Sequence, residues 1–142
     1  MIKKIAESVK QPLSYNRISR ILSSVGGNIS VPTVGNYVQY CQDAWLLLRM
    51  HNIASPFVEK ETISKYYFTD NGILNLFLID ADTSLLENLV AVTLLRKYGN
   101  DPDNERVFYY NSGVEVDFFV PDDGLAIQVC YNLSHSDGTY ER

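Results

Sequence analysis

Four residues of this 142-residue chain combine side-chain types and spacings that could do chemistry together: Glu87, Glu115, Asp117 and Gln128. Glu115 and Asp117 stand two apart in Val114-Glu115-Val116-Asp117-Phe118-Phe119-Val120, an alternating segment that reads as a strand with both carboxylates on one face. Gln128 and Cys130 repeat that spacing in the next apolar run, Leu125 to Tyr131, after the turn Pro121-Asp122-Asp123-Gly124. Glu87 sits early in the helix-like stretch from Ser84 to Tyr98. A helix carboxylate, a strand carboxylate and a polar pair on the following strand form the layout used by metal-dependent phosphodiester cleavage, where carboxylates hold a hard cation. Two bland readings stand beside it. Glu87 could simply be a carboxylate favoured by the dipole of its helix, and Asp117 a buried acid satisfied by a backbone or hydroxyl donor.

The elements that must position these residues follow from periodicity and turn chemistry. Residues 2–10 carry Ile2, Ile5, Ala6 and Val9 on one helical face, and Gln11-Pro12 ends that helix. Ser14 is an N-cap candidate for a second helix with Ile18, Ile21 and Leu22 as its apolar stripe, stopped at Gly26-Gly27-Asn28. A third helix is expected from Ser30 or Thr33 onward, with Val34, Tyr37, Val38 and Cys41 facing inward and Thr33, Asn36 and Gln39 outward. Trp45 to Met50 and Ser64 to Phe68 read as two strands joined by a turn around Ala54-Ser55-Pro56. Trp45 is expected to anchor the core beneath them, and the tyrosines to be half-buried packing residues rather than base-stacking ones. Three short helices followed by a strand pair is the order of a winged helix-turn-helix, whose third helix enters the DNA major groove. Arg17, Arg20, Thr33, Asn36 and Gln39 would then face nucleic acid, although the third helix lacks the Arg or Lys that most often reads guanine.

Composition bounds the rest. Apolar residues at 46% and charged ones at 20% are ordinary for a folded domain, and no apolar run is long enough to span a bilayer. The N-terminus has no apolar signal-peptide core, so a cytoplasmic location and no membrane partner are expected. Cys41 and Cys130 are expected to be unbridged thiols, and His51 and His135 are isolated, so no Cys/His metal cluster arises. The net charge of −5 is uneven: residues 1–55 hold six basic and two acidic side chains, the remainder six and fifteen. The front half tolerates nucleic acid, whereas the back half repels a phosphate backbone unless metal ions intervene.

Several runs recur in a known family. Ser14-Tyr15-Asn16-Arg17-Ile18-Ser19, Val31-Pro32-Thr33-Val34 and Asp43-Ala44-Trp45-Leu46 resemble the segment that follows the ATPase module in a prokaryotic family of AAA-type ATPases. So do Lys65-Tyr66-Tyr67, Asp70-Asn71-Gly72, Leu86-Glu87-Asn88 and Gly113-Val114-Glu115-Val116-Asp117-Phe118, and the likeness runs from about Lys10 to Tyr131. That C-terminal domain, itself of unknown function, pairs a winged helix with a fold like the PD-(D/E)xK nucleases. The resemblance therefore implies an α+β chain: a winged helix over residues 1–80, bounded by the polar break Asp80-Ala81-Asp82-Thr83, and a restriction-endonuclease-like α/β module over 81–142. It also implies that the family pattern continues into another helix where this chain stops. An upstream AAA-type ATPase module is the implied partner, and ATP would be bound only there, since this chain has no GxxxxGK[ST] loop.

The same resemblance assigns Glu87, Asp117 and Gln128 to the metal-binding acids of a nuclease and Cys130 to its lysine, with Glu115 a rival ligand to Asp117. Two of these positions are degraded. Gln128 offers Mg²⁺ a neutral carbonyl oxygen, and Cys130 cannot supply the positive charge that steadies a hydroxide nucleophile. Arg96 and Lys97 are basic, but nothing in their spacing brings them to that role. The expected function is a non-catalytic C-terminal interaction module of an AAA-type ATPase, contacting protein or nucleic acid. A metal-dependent nuclease with a diverged site and a winged-helix DNA-binding regulator are the alternatives.

Overall fold

In the computed structural model, which describes residues 1–79, 82–99 and 105–131, each turn of the chain follows a local signal. Helix α1 (Ile2–Ala6) is shorter than its stripe suggested, because the chain passes through turns to Lys10, which takes a left-handed φ of 82°. A two-residue strand, β1 (Leu13–Ser14), then leads into α2 (Tyr15–Ser24), whose cap is Ser14: its hydroxyl accepts the Arg17 N–H at 3.2 Å. Ser30 caps α3 (Val31–Asp43) by accepting the Thr33 N–H, with Pro32 in the first turn, where a missing N–H costs nothing. Val34 and Val38 are the buried stripe of α3, whereas Tyr37 is 44% exposed rather than inward.

Strand β2 (Leu47–Met50) and strand β3 (Ile63–Phe68) pair antiparallel from Leu47↔Phe68 to Met50↔Lys65. Their connection contains a helix the sequence did not announce, α4 (Phe57–Thr62), opened by Pro56. On the other edge β3 pairs with β1, so the first sheet is antiparallel in the order β1-β3-β2. A short helix α5 (Asn71–Asn75), capped by Asp70, leads towards α6 (Asp82–Tyr98), the longest element. The second sheet is an antiparallel meander of β4 (Phe108–Asn111), β5 (Glu115–Val120) and β6 (Leu125–Ile127). Gly124 closes the β5–β6 turn at a φ of 60°, a conformation that favours glycine. Strand β6 stops at Ile127, short of the stretch to Tyr131 that alternation predicted. The architecture is thus α+β with two small antiparallel sheets. Of the expected polar break, residues 80 and 81 lie outside the described residues, and so do the loop at 100–104, His135 and the chain end at Arg142.

The two sheets meet where β2 ends. The Tyr109 N–H donates to the His51 carbonyl at 3.0 Å and the Ile53 N–H to the Tyr109 carbonyl at 3.0 Å, a parallel bridge of Asn52 with Tyr109. Asn52 reinforces it, its amide bonding both the carbonyl and the N–H of Asn111. Beneath the bridge one apolar core joins Ile18, Val38 and Phe68 of the first part to Leu95, Phe118 and Val120 of the second. The Tyr67 and Phe118 rings meet at 5.7 Å between centroids. Trp45, expected as a core anchor, is 76% exposed and holds a left-handed φ of 56°. Among the described residues no helix is long and apolar enough to cross a membrane.

Candidate functional site

Strand β3 is buried from Ser64 to Phe68, so both of its faces lie in the interior. Alternation puts Lys65 and Tyr67 on one face, and that face looks toward α6 and β5. Lys65 is fully buried. Its Nζ stands 3.6 Å from the Glu87 carboxylate, 3.3 Å from that of Glu115 and 3.6 Å from that of Asp117. None of the three contacts has hydrogen-bond geometry, and the ammonium also lies 5.3 Å from the centre of the Tyr109 ring. An ammonium therefore occupies the point on which three carboxylates converge.

Each carboxylate is held by its own element. Glu87 projects from the second turn of α6, is 4% exposed, and accepts the Tyr67 O–H at 3.0 Å. Burial raises its carboxyl above the usual range; Lys65 opposes that shift, the Asp117 charge adds to it, and the Tyr67 hydrogen bond opposes it. Asp117 is 6% exposed, and its Oδ2 accepts the Val129 N–H at 2.8 Å, just past the end of β6. Glu115 is at the mouth, with its side chain 43% exposed. Burial lifts the Tyr67 hydroxyl well above its ordinary range, and the Glu87 charge lifts it further. Tyr109 is pushed up to about 12, first by burial and then by Glu115 and Glu59.

The carboxylates open onto a cleft of about 440 Å³ that Lys10, Thr83, Gln128 and Cys130 also line. Lys10 reaches it from its left-handed backbone, its Nζ donating to Thr83 Oγ1 at 2.9 Å. The structure thus brings together Glu87, Glu115, Asp117 and Gln128, four residues singled out by type and spacing. Arg17 and Arg20 are exposed on α2, and Asn36 and Gln39 on α3, none of them lining this cleft. Thr33 is half-buried and bonded to the Ser30 hydroxyl, while Gln39 donates to Asp43 at 2.8 Å. Lys65 is the residue that sequence reasoning missed. Its signal was a lone charge in a strand otherwise able to bury both faces, a place where a charge needs partners.

Next to Glu87, Asn88 does a different job. Its Oδ1 accepts the Phe68 N–H at 2.7 Å, and its Nδ2 donates to the Phe68 carbonyl at 2.8 Å and to Asn71 Oδ1 at 2.8 Å. The amide takes the place of a neighbouring strand at the end of β3. This hydrogen bonding fixes α6 in register with β3, and so sets Glu87 opposite Lys65 and Tyr67.

Among the described residues no group of three or more His, Cys, Asp or Glu side chains stands close enough to hold a metal ion. No solved structure matches the chain. A relative from Methanocaldococcus jannaschii, printed as "Uncharacterized protein MJ1544", is 32% identical over 129 residues, covering 88% of this chain. The chain spans only 28% of that relative's length. The family model described as "Domain of unknown function (DUF8612)" matches residues 1–88, which carry Lys65, Tyr67, Glu87 and Asn88 but stop short of Glu115 and Asp117. With the match running over more than half of its residues, the chain belongs to the DUF8612 family.

Proposed function

We propose that this chain is a non-catalytic interaction module, the C-terminal part of a larger protein built around an AAA-type ATPase. It would combine a winged helix with a PD-(D/E)xK-like core whose chemistry has been lost. The observation that carries the reading is the position of Lys65, whose ammonium stands 3.3–3.6 Å from all three carboxylates. The Mg²⁺ that the family resemblance implies does not fit this donor set. Its place at the centre of the acids is taken by a positive charge, and Gln128 and Cys130 stand where an acid and a lysine would be needed. The order of helices α1, α2 and α3 followed by strands β2 and β3 supports the winged-helix part, with β1 closing the sheet. The exposed face of α3, with Asn36, Gln39 and Tyr40 and no lysine or arginine, suits a protein partner better than a phosphate backbone. That the archaeal relative is more than three times as long leaves room for an ATPase module in a protein of this kind.

Calorimetry with Mg²⁺ and Mn²⁺ on the native chain and on Asp117→Ala tests the loss of chemistry. No specific heat of binding is expected at millimolar metal in either. Stoichiometric binding by the native chain that Asp117→Ala abolishes would overturn the reading in favour of a diverged metal-dependent nuclease. One observation favours that second reading: Glu87, Glu115 and Asp117 share a single open cleft with Gln128.

A further inference from the structure

We infer that the Lys65 ammonium is a resident substitute for a divalent cation, so that an uncharged side chain at position 65 creates a divalent-cation site that the native chain lacks. The inference rests on the reading of the cleft as a scaffold whose metal position is filled, and it adds what fills it and what would follow from removing it.

Three observations carry it. Carboxylates from α6 and β5 reach a common centre, and one amine, wholly buried, sits at that centre without a single hydrogen bond. An ammonium chosen for hydrogen bonding would have at least one acceptor in line; this one is surrounded by charge and satisfied by charge alone. Two of the acids, Glu87 and Asp117, are themselves buried, and a buried anion must be paired or coordinated. Finally, Glu115 and the cleft give the centre a route to solvent by which a hydrated ion could enter.

The distances set what must move. A hard cation takes carboxylate oxygens at about 2.0–2.1 Å for Mg²⁺ and about 2.3–2.6 Å for Ca²⁺. The oxygens lie 3.3–3.6 Å from the centre, so each must close by roughly 1 Å, a side-chain adjustment rather than a backbone one. This is why the native geometry holds no ready-made site: the larger ammonium spaces the acids apart. Lys65→Met is the fitting change, because the methionine stem follows the lysine stem but ends one atom short of the nitrogen. Lys10, the other cation of the cleft, is held at Thr83 and does not fill the vacated point.

The experiment measures Mn²⁺ binding by electron paramagnetic resonance, and thermal unfolding with Mn²⁺, with Ca²⁺ or with chelator. The native chain should show no bound Mn²⁺ and no metal-dependent change in Tm. Lys65→Met should unfold at lower temperature in chelator, bind about one Mn²⁺, and gain about 10 °C at a metal concentration roughly a hundredfold above Kd. Adding Asp117→Asn to Lys65→Met should abolish that gain. If Lys65→Met is unfolded in chelator, recovery of the fold on adding Mn²⁺ supports the inference equally. Lys65→Met/Glu87→Gln removes one charge of each sign and serves where the single variant does not fold; it should bind Mn²⁺ more weakly through Glu115 and Asp117. A folded Lys65→Met, or failing that the paired variant, with no bound Mn²⁺ overturns the inference and leaves the scaffold reading intact. Binding by the native chain overturns the scaffold reading itself.

Discussion

Asn88→Ala is the substitution whose cost follows most directly from the geometry. The side chain bonds both the N–H and the carbonyl of Phe68, at 2.7 and 2.8 Å, and it is fully buried. Strand β1 pairs with β3 only at Ile63 and Ser64, so on that edge no strand reaches Phe68 to take over. Truncation leaves two buried backbone groups without partners, at about 1–3 kcal/mol each, and therefore a loss of roughly 2–6 kcal/mol. For a domain whose whole stability is about 5–15 kcal/mol, a mid-range loss removes a large share. Asn71 cushions little of it, since its Nδ2 is already committed to the Leu85 carbonyl at 3.0 Å. Urea denaturation followed by circular dichroism reads the change directly, with the slope unchanged and the midpoint lowered. A loss under about 1 kcal/mol would refute the account of Asn88 as a substitute strand. Asn88→Asp adds a control, because a carboxylate keeps the acceptor for Phe68 N–H but loses the donor. Its new carboxyl, buried against a carbonyl, should have a raised folded pKa. The deficit should therefore shrink at low pH, where the protonated acid donates, and grow as pH rises through that pKa.

Two further changes test other parts of the structure. Because burial raises the Glu87 carboxyl above its ordinary value of 4.5, the native state keeps a proton that the unfolded chain releases just above that pH. The Glu87 contribution to stability should thus fall as pH rises from 4.5 through the folded pKa and level off beyond it. Glu87→Gln, which still accepts the Tyr67 O–H, should lack that slope in urea titrations from pH 4.5 to 7, and an identical pH profile in both proteins would refute the assignment. Trp45→Gly exchanges a left-handed backbone costing about 1–2 kcal/mol in an L-residue for glycine's entropic cost of about 0.5–1 kcal/mol. With the indole 76% exposed, little burial is lost, and a urea midpoint unchanged or raised is expected. A clear loss of stability would put Trp45 back in the core. The chain's single tryptophan should also be quenched by acrylamide almost as fully in the folded as in the unfolded state.

How much of this was legible in the sequence depends on the kind of signal each residue gives. Local chemistry spoke plainly: the Ser14 and Ser30 caps, the Gly124 turn and the long helix through Glu87 are where side-chain types and periodicity put them. Alternation in the segment around Glu115 and Asp117 placed both acids on one face, and the structure gathers them with Glu87 and Gln128 at one cleft. Features set by tertiary context were silent. Strand β1 is two residues long, too short for any period, and exists because β3 offers it an edge. Helix α4 spans a connection whose turn residues suggested a plain loop. Trp45 looked like an anchor because large aromatic residues usually are, and only the left-handed turn between α3 and β2 throws it outward.

Lys65 shows the limit most clearly. The search for a nuclease lysine was confined to the strand after Asp117 and the helix of Glu87, where spacing places one in the related fold, and it found Cys130 and the unhelpful Arg96 and Lys97. The positive charge at the centre of the acids instead comes from β3, 22 residues before Glu87 and 52 before Asp117, and no local pattern connects such positions. What could have pointed to it is energetic. A lysine inside a strand whose neighbours Ser64, Tyr66, Tyr67 and Phe68 are all buried must be buried too, and a buried ammonium needs anions. Three acids with no cation among them, and one cation in a strand with no acid, are each costly alone. Together they balance, and the fold is the arrangement that lets them meet.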